Sequence, residues 1–520
     1  MGRFDVMATN TPNLNLKKPS YTDPVDIADL NGNMDKIDQQ IGILSNPVYV
    51  ESFKAIAPEA DDTGRVQRAL DSISSGIVIF ASKTYTTGNL TISNKTNFQM
   101  LGYGATIQLN GTATSGNNIG FQLSGTLDNV SIEGFTIIGS GNVGDAHAGI
   151  YSASGQTLKN VRTLYNKIQN VIVGISYNAD LSGNVDGGLI MGNIISNIVG
   201  INPGQGYGIH HSNGNGTPSN LVIMGNRVDG AQRHSIYQAR GSGVVITANR
   251  IYNHRNGVAD GSVRPAINIS RSQDIIVNGN TVRDFYDGAF YVDIDTGSPA
   301  RNINVFGNEF NYPKNAVSPI WIGYLTTISG VLIEEVSFNN NHIIMDGFNV
   351  SPVSLNCGKR LNIKNNTVTI LNNTTSVNAF VISALSETAN TTTYSDDWEI
   401  EGNTIYSNAS STIIGFRLNP TFTNANVNTR FKGNKISGAG TAQMFDQAVT
   451  VNNPNIKVLD QETTGLSLTS GVTLKPNNLN GATATTVGSA GTASALPTAP
   501  LGYLVTQVNG STVKIPYYNV

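Results

Sequence analysis

The sequence predicts an all-β chain folded as a right-handed parallel β-helix of about a dozen coils, with a short helical coiled-coil segment before it and a small β module after it. Two observations predict this. An eight-residue strand–turn–strand pattern recurs along most of the chain, and an asparagine sits at the centre of ten of its copies.

The pattern reads apolar, any, apolar, any, Gly or Asn, Asn, any, apolar. Leu221 to Val228 is one copy; Ile275 to Val282, Ile303 to Phe310, Val336 to Ile343, Leu361 to Val368 and Trp398 to Ile405 are others. The central residues are Asn166, Asn193, Asn226, Asn249, Asn280, Asn308, Asn341, Asn366, Asn403 and Asn434, at steps of 27, 33, 23, 31, 28, 33, 25, 37 and 31 residues. Two earlier copies carry an aromatic in that place, Tyr103 and Phe135. Apolar residues two apart share one face of a strand. The Gly-Asn or Asn-Asn pair suits a turn of positive φ, after which the next apolar residue points inward again. One coil cannot bury its inner face alone, so coils stack and share a core, and aligned asparagines can bond along the stack. A propeller blade needs roughly 40 residues and four strands, which these shorter, uneven steps do not supply.

Three domains are expected: 1–50, 51–450 and 451–520. Ile27, Leu30, Met34, Ile37, Ile41 and Leu44 follow spacings of 3 and 4, a heptad seam that suits self-association, while residues 1–25 read as an extended arm. Asp61-Asp62-Thr63 is a helix start, and Val66, Leu70 and Ile73 give the following helix an apolar face that fits over the open end of the first coil. Residues 461–500 are rich in Thr, Gly, Ala and Ser, and Tyr503 to Tyr518 reads as two strands about Asn509-Gly510.

Composition narrows the function. A net charge of −3 with 13% charged residues leaves no basic stripe for nucleic acid. The longest apolar run, Ile77 to Phe80, is too short to enter a membrane as a span. Residues 1–16 lack the apolar core of a signal peptide, so the chain is expected to be made in a cytoplasm without one. Cys357 is the single cysteine and cannot form an intrachain disulfide.

Asp61-Asp62-Thr63, Gln67-Arg68-Ala69-Leu70, Val78-Ile79-Phe80 and Tyr85 resemble the opening of pectate-lyase-like β-helix proteins, in particular bacteriophage tailspikes and pre-neck appendages. Leu501 to Leu504 and Lys514 to Tyr518 resemble the ends of appendages from phages of Gram-positive hosts. The resemblance implies a homotrimer, an N-terminal anchor to virion tail or neck proteins through residues 1–50, and a β-helix directed at a glycan of the host cell surface. That family places its catalytic residues variously, so none is carried over by motif.

The candidate site comes from alignment instead. In the second strand of each coil the inward residues are Ile150, Ile175, Ile209, Ile236, Ile267, Phe290 and Ile320. Each is followed by an outward one: Tyr151, Ser176, His210, Tyr237, Asn268, Tyr291 and Trp321. Aromatic faces stack on sugar C–H faces while polar tips take hydroxyls, so Tyr151, His210, Tyr237, Asn268, Tyr291 and Trp321, with Arg240 and Arg264, are candidate substrate-binding residues. The same stripe could instead lie beneath a loop or a neighbouring chain. Glycoside hydrolysis needs two carboxyl groups, about 5 Å apart for retention or roughly 6.5–9.5 Å for inversion. Asp293 is one candidate, with Asp295 or Asp260 as the other; Asp145, Asp284, Asp287, His147 and Arg271 lie in adjoining turns. The plainer reading makes these aspartates solvated or salt-bridged turn residues. A lyase would use a base such as His210 or Tyr237 with Arg240 neutralising the acid. No cofactor or metal is expected: no EF-hand spacing occurs, and His210 and His211 point opposite ways along a strand. The expected function is a phage tail appendage that binds and depolymerises a capsule, exopolysaccharide or wall teichoic acid. The alternatives are a polysaccharide lyase, binding without catalysis, or a purely structural spike.

Overall fold

A computed structural model describes residues 9–10, 17–18, 31–34, 47–111, 118–180, 182–214, 217–255, 264–294, 299–315, 317–323, 333–383, 395–408, 411–418, 428–438, 441–445, 456–459, 462–464, 467–468, 502–508 and 511–517. It is a right-handed parallel β-helix. Each coil contributes one strand to each of three parallel sheets, and the second and third sheets hold 14 strands each. A typical coil runs Gly241–Thr247 in the first sheet, Arg250–Tyr252 in the second and Ile267–Ser270 in the third. The strand that carries the stripe, expected as the second of each coil, is therefore the third. The asparagine turn leads into a second-sheet strand of only three to five residues, such as Arg227–Ala231 or Arg250–Tyr252. A further turn then begins at a left-handed residue such as Asn170, Asn197 or Asn253.

The asparagines form one continuous ladder. All ten are buried. Asn280 shows the geometry. Its Oδ1 accepts from the backbone N and the Nδ2 of Asn249, both at 3.0 Å. Its Nδ2 donates to the carbonyl of Ile246 and to Asn308 Oδ1, each at 2.9 Å. The same bonds recur from Asn166 to Asn434. The residue before each asparagine takes positive φ, as Gly225 and Gly279 do at 64° and 62° and Asn340 and Asn365 do at 55°.

Inside, the apolar columns meet as the spacing predicts, with edge-to-face aromatic clusters at both ends: Phe135 lies 4.8 Å from both Phe80 and Phe121, and Phe431 lies 5.2 Å from both Phe416 and Phe445. Where the chain enters the third sheet a column of glycines appears that the alternation does not announce. A Cβ on Gly174 would sit 2.5 Å from the Gly208 carbonyl oxygen and 2.8 Å from Ile195 Cγ2, and one on Gly149 would meet Gly174 and Ile168 in the same way. Only a residue without a side chain lets the coils approach there.

The first coil is covered by the helix Thr63–Asp71, which buries Val66, Ala69 and Leu70. It also satisfies the open sheet edges. Gln67 mimics a strand by donating to the Thr91 carbonyl at 2.9 Å and accepting from its N–H at 2.8 Å. Asp62 does the same for Thr86, with its backbone N donating at 2.8 Å and its carboxylate accepting at 2.9 Å. Capping of exposed edges in this way prevents end-to-end pairing with other chains.

Strands at Ile456–Leu459, Glu462–Thr464 and Ser467–Leu468 carry the three sheets beyond residue 450, where the asparagine series has ended. The chain divides into two compact units, 1–474 and 475–520. Within the second, Gly502–Val508 pairs antiparallel with Ser511–Tyr517. Residues 31–34 are helical, and the rest of the expected 27–44 coiled coil lies outside the described residues. Among the described residues no helix is long and apolar enough to cross a membrane.

Asn280→Ala removes four buried hydrogen bonds and leaves their partners desolvated, which costs about 2–4 kcal/mol. Asn278→Ala on the outer face should stay within about 0.5 kcal/mol. Chemical denaturation of the two variants against the parent protein measures the difference.

Candidate functional site

The predicted stripe is continuous in register on the outer face of the third sheet. Tyr151 pairs with Ser176, Ser176 with His210, His210 with Tyr237, Tyr237 with Asn268, Asn268 with Tyr291 and Tyr291 with Trp321. Exposure along it is uneven. Tyr151, His210, Tyr237 and Trp321 are half-buried, whereas Tyr291 is 1% and Asn268 6% exposed. The expectation that Tyr291 faces solvent is corrected by its surroundings. Its ring lies flat against Gly288, where any Cβ would fall 2.2 Å from Cε1, and its hydroxyl donates to the Ser318 carbonyl at 3.1 Å. Segments from the turns of its own and the following coil cover it.

The middle of the stripe is an aromatic stack. His210 and Tyr237 lie 5.5 Å apart at 13° between their planes. Two further rings join them. Tyr207 stacks on His210 at 5.1 Å and on Tyr237 at 5.5 Å, and His234 on Tyr237 at 4.9 Å. The Arg233 guanidinium lies 5.6 Å over the Tyr207 ring. Sequence reasoning missed Tyr207 and His234. Each stands two residues before an inward isoleucine, Ile209 and Ile236, so strict alternation assigns both to the core and hides them from a sequence reading. A small apolar cluster of Ile119, Ala148, Ile172, Val173, Val199 and Tyr207 lies against this stack, outside the main core, with Tyr151 and Tyr237 packed on it.

At the far end Asp293 closes the strand Phe290–Asp293, is 6% exposed and accepts from Asn268 Nδ2 at 3.2 Å. Two residues before it, Tyr291 has its ring centroid 6.1 Å from that of Trp321. Asp295 and Asp260 lie outside the described residues. Asp287 belongs to structure: it pairs with the buried Arg255, and accepts from Asn315 Nδ2 at 3.1 Å and from the Arg264 backbone N at 3.4 Å. Arg240 is held by Asp180 across a turn. Arg264 gives its carbonyl to His254 Nε2 at 2.7 Å, which places it at the sheet margin rather than on the stripe.

Electrostatics set what these groups can do. Burial pushes the Tyr291 hydroxyl far up, reinforced by the charges of Asp287 and Asp293, so it stays a neutral phenol. Burial lowers His210 and His254 to about 3 and His211 to about 4, and holds His234 well below its usual 6.5. These imidazoles are neutral and feebly basic. A proton abstractor needs a basicity matched to the working pH, which His210 lacks here. The chemistry left is ring stacking, hydrogen bonding and a shielded carboxyl group.

No family model and no curated protein sequence matches the chain. Several solved structures are similar to it. The tailspike protein of E. coli bacteriophage HK620, determined with a pentasaccharide, is 14% identical at a TM-score of 0.49, over 81% of this chain and 79% of that one. The A-module of a mannuronan C-5 epimerase from Azotobacter vinelandii is 16% identical at 0.47, over 81% of this chain and 100% of the module. A surface adhesin of Streptococcus pneumoniae is 13% identical at 0.41, over 91% and 100%. At such identities neither activity nor site residues transfer.

The histidines predict an acid-labile fold. Their folded values lie below the unfolded 6.5, so the unfolded chain takes up protons that the folded one refuses. The stability they permit is complete above about pH 6.5 and is lost as pH falls towards about 4 and then 3. Melting temperature should drop between about pH 6.5 and 4.5, before most carboxylates titrate. A flat profile across that window contradicts the burial of these rings.

Proposed function

We propose that the chain is a phage tail appendage that binds a bacterial surface polysaccharide along the third-sheet face from Tyr151 to Trp321, and hydrolyses it with Asp293 as one of two carboxyl groups. The observation that carries this is the unbroken register of the stripe with its stacked rings. A row of aromatic and polar tips repeating every ~4.8 Å suits a linear polymer rather than a small molecule. Asp295 or Asp260 supplies the second carboxyl. Asp293 suits the role because it is shielded from water and stands on the strand of the stripe itself, two residues after Tyr291. The feeble basicity of His210 and the neutrality of Tyr291 favour hydrolysis over the lyase reading at these residues.

Incubation of the purified protein with envelope polysaccharides of candidate hosts, with products sized by mass spectrometry, tests the proposal. Shortened, saturated products are expected, and Asp293→Asn should abolish them while leaving adsorption intact. Tyr237→Ala and Trp321→Ala should each weaken binding about tenfold, the worth of one lost stacking contact. Products absorbing in the ultraviolet would assign a lyase instead. Adsorption without any shortening would leave a receptor-binding appendage.

A further inference from the structure

Three arginines among the described residues are buried: Arg65, Arg233 and Arg255. A guanidinium stays charged when it is buried, so each calls for an anion beside it. Arg65 lies 2.7 Å from Asp62 and 3.5 Å from Glu51, and Arg255 pairs with Asp287. Arg233 meets no carboxylate among the described residues. Its Nη1 donates to the Ile201 carbonyl, its Nε is buried with no hydrogen-bond partner, and its guanidinium lies 5.6 Å over the Tyr207 ring. One neutral acceptor and one ring do not replace the counter-charge that the other two arginines have. The place is not incidental. Tyr207 stacks on His210 and Tyr237, so the unmatched cation borders the aromatic platform of the third sheet. The turn that supplies the Ile201 carbonyl is exposed from Ile201 to Gly204, with Gly200, Gly204 and Gly206 at positive φ. In that same turn Gln205 Oε1 is buried with no partner. A cationic donor and an acceptor are thus both unsatisfied where this turn meets the stack.

We propose that Arg233 is a specificity-determining residue of this face and that the polymer it selects is anionic, with a carboxylate or phosphate group taking the place of the Ile201 carbonyl on the guanidinium. The inference rests on the glycan reading above and adds to it the charge of the substrate. A guanidinium presents a planar fork of donors that matches two oxygens of a carboxylate or phosphate, whereas a carbonyl fills it at one point. The anion also brings the missing counter-charge to a site shielded from water, where such a pair is stronger than at an open surface. Gln205 Oε1 then accepts from a hydroxyl of the same unit, which a uronate and a polyol phosphate both carry. A neutral polymer leaves the cation as it stands, so the face discriminates by charge as well as by shape. Arg233 directly precedes the strand His234–Gln238, two coils before that of Asp293. At ~4.8 Å per coil the two groups serve different sugar units. Arg233 touches no reacting atom, so its loss belongs in KM and not in kcat.

The test measures binding of the full chain to envelope polysaccharides of candidate hosts, each offered untreated, with its carboxyl groups reduced to alcohols, and after removal of phosphate by hydrofluoric acid. The polymer that the parent binds should lose at least about tenfold in affinity under one of the two treatments, and which one separates a uronate from a phosphate. Arg233→Gln should bind the untreated polymer about tenfold more weakly and should no longer distinguish it from the treated one. A merely structural role for Arg233 would weaken both forms alike and keep the difference between them. Should Arg233→Gln fail to fold by circular dichroism, Arg233→Lys keeps the charge without the planar fork, and a smaller loss confined to the untreated polymer is expected. A bound polymer that both treatments leave unaffected, or a charge preference that the Arg233 variants retain, overturns this inference and leaves the glycan reading standing. Failure of the parent to bind any polymer overturns the glycan reading, and this one with it.

Discussion

The buried amide ladder sets the height of ten successive coils. Between the two ends of the ladder each asparagine oxygen accepts two N–H groups of the preceding coil, and each amide nitrogen reaches a carbonyl of that coil and the oxygen of the next asparagine. No other side chain meets that demand. Aspartate lacks the donors, and glutamine is a methylene too long for the turn. A strand slipped by one residue would turn its apolar side outward. The ladder opposes any slip because a displaced asparagine leaves four buried polar groups unpaired. The isoleucine and phenylalanine columns, the glycine corner and the alignment of all three outer faces follow from that fixed height.

This is why so much of the fold could be read from the sequence. A solenoid writes the same local instruction in each coil, and the asparagine with its apolar residue two places on states it ten times. The register of Tyr151 through Trp321 came from the same regularity. What escaped was non-repeating. Tyr291 is buried because turns of two coils close over it, and turn lengths vary from coil to coil. The third strand per coil escaped because the second-sheet strands are so short that strand and turn merge in the sequence. The glycine column was visible as Gly-Ile pairs within the third-sheet strands, but its cause, a carbonyl 2.5 Å from the missing Cβ, is a contact between coils. Asp260 and Asp295 fall where loops leave the regular frame, and there a repeat carries no information.

A face of a β-helix changes its character through one or two positions per coil. Along the stripe the third sheet gives those positions to aromatic rings and histidines. The third therefore combines two properties that seldom coincide. It is apolar enough to depress its histidines by burial, and it carries polar tips throughout. Rings held neutral and stacked at about 5 Å give a rigid platform that needs no ordering when a partner arrives, which removes part of the entropic cost of binding.

Satisfaction of polar groups points to the same region. Along the ladder every amide is paired. On the third-sheet face Asn268 Oδ1, Trp321 Nε1 and the inward His211 Nε2 are buried with no hydrogen-bond partner among the described residues. Each such group costs about 1–3 kcal/mol. A scaffold that spends ten asparagines on complete pairing has the means to pair these too, and unpaired groups of this kind in a native fold call for an explanation in ligand, water or function. Asn268 already reaches Asp293 with its amide nitrogen, which turns its oxygen away from the carboxylate. That oxygen and the Trp321 indole nitrogen are closed to solvent in this conformation, so under the proposed function a sugar pairs with them beside Asp293 only after a covering side chain moves.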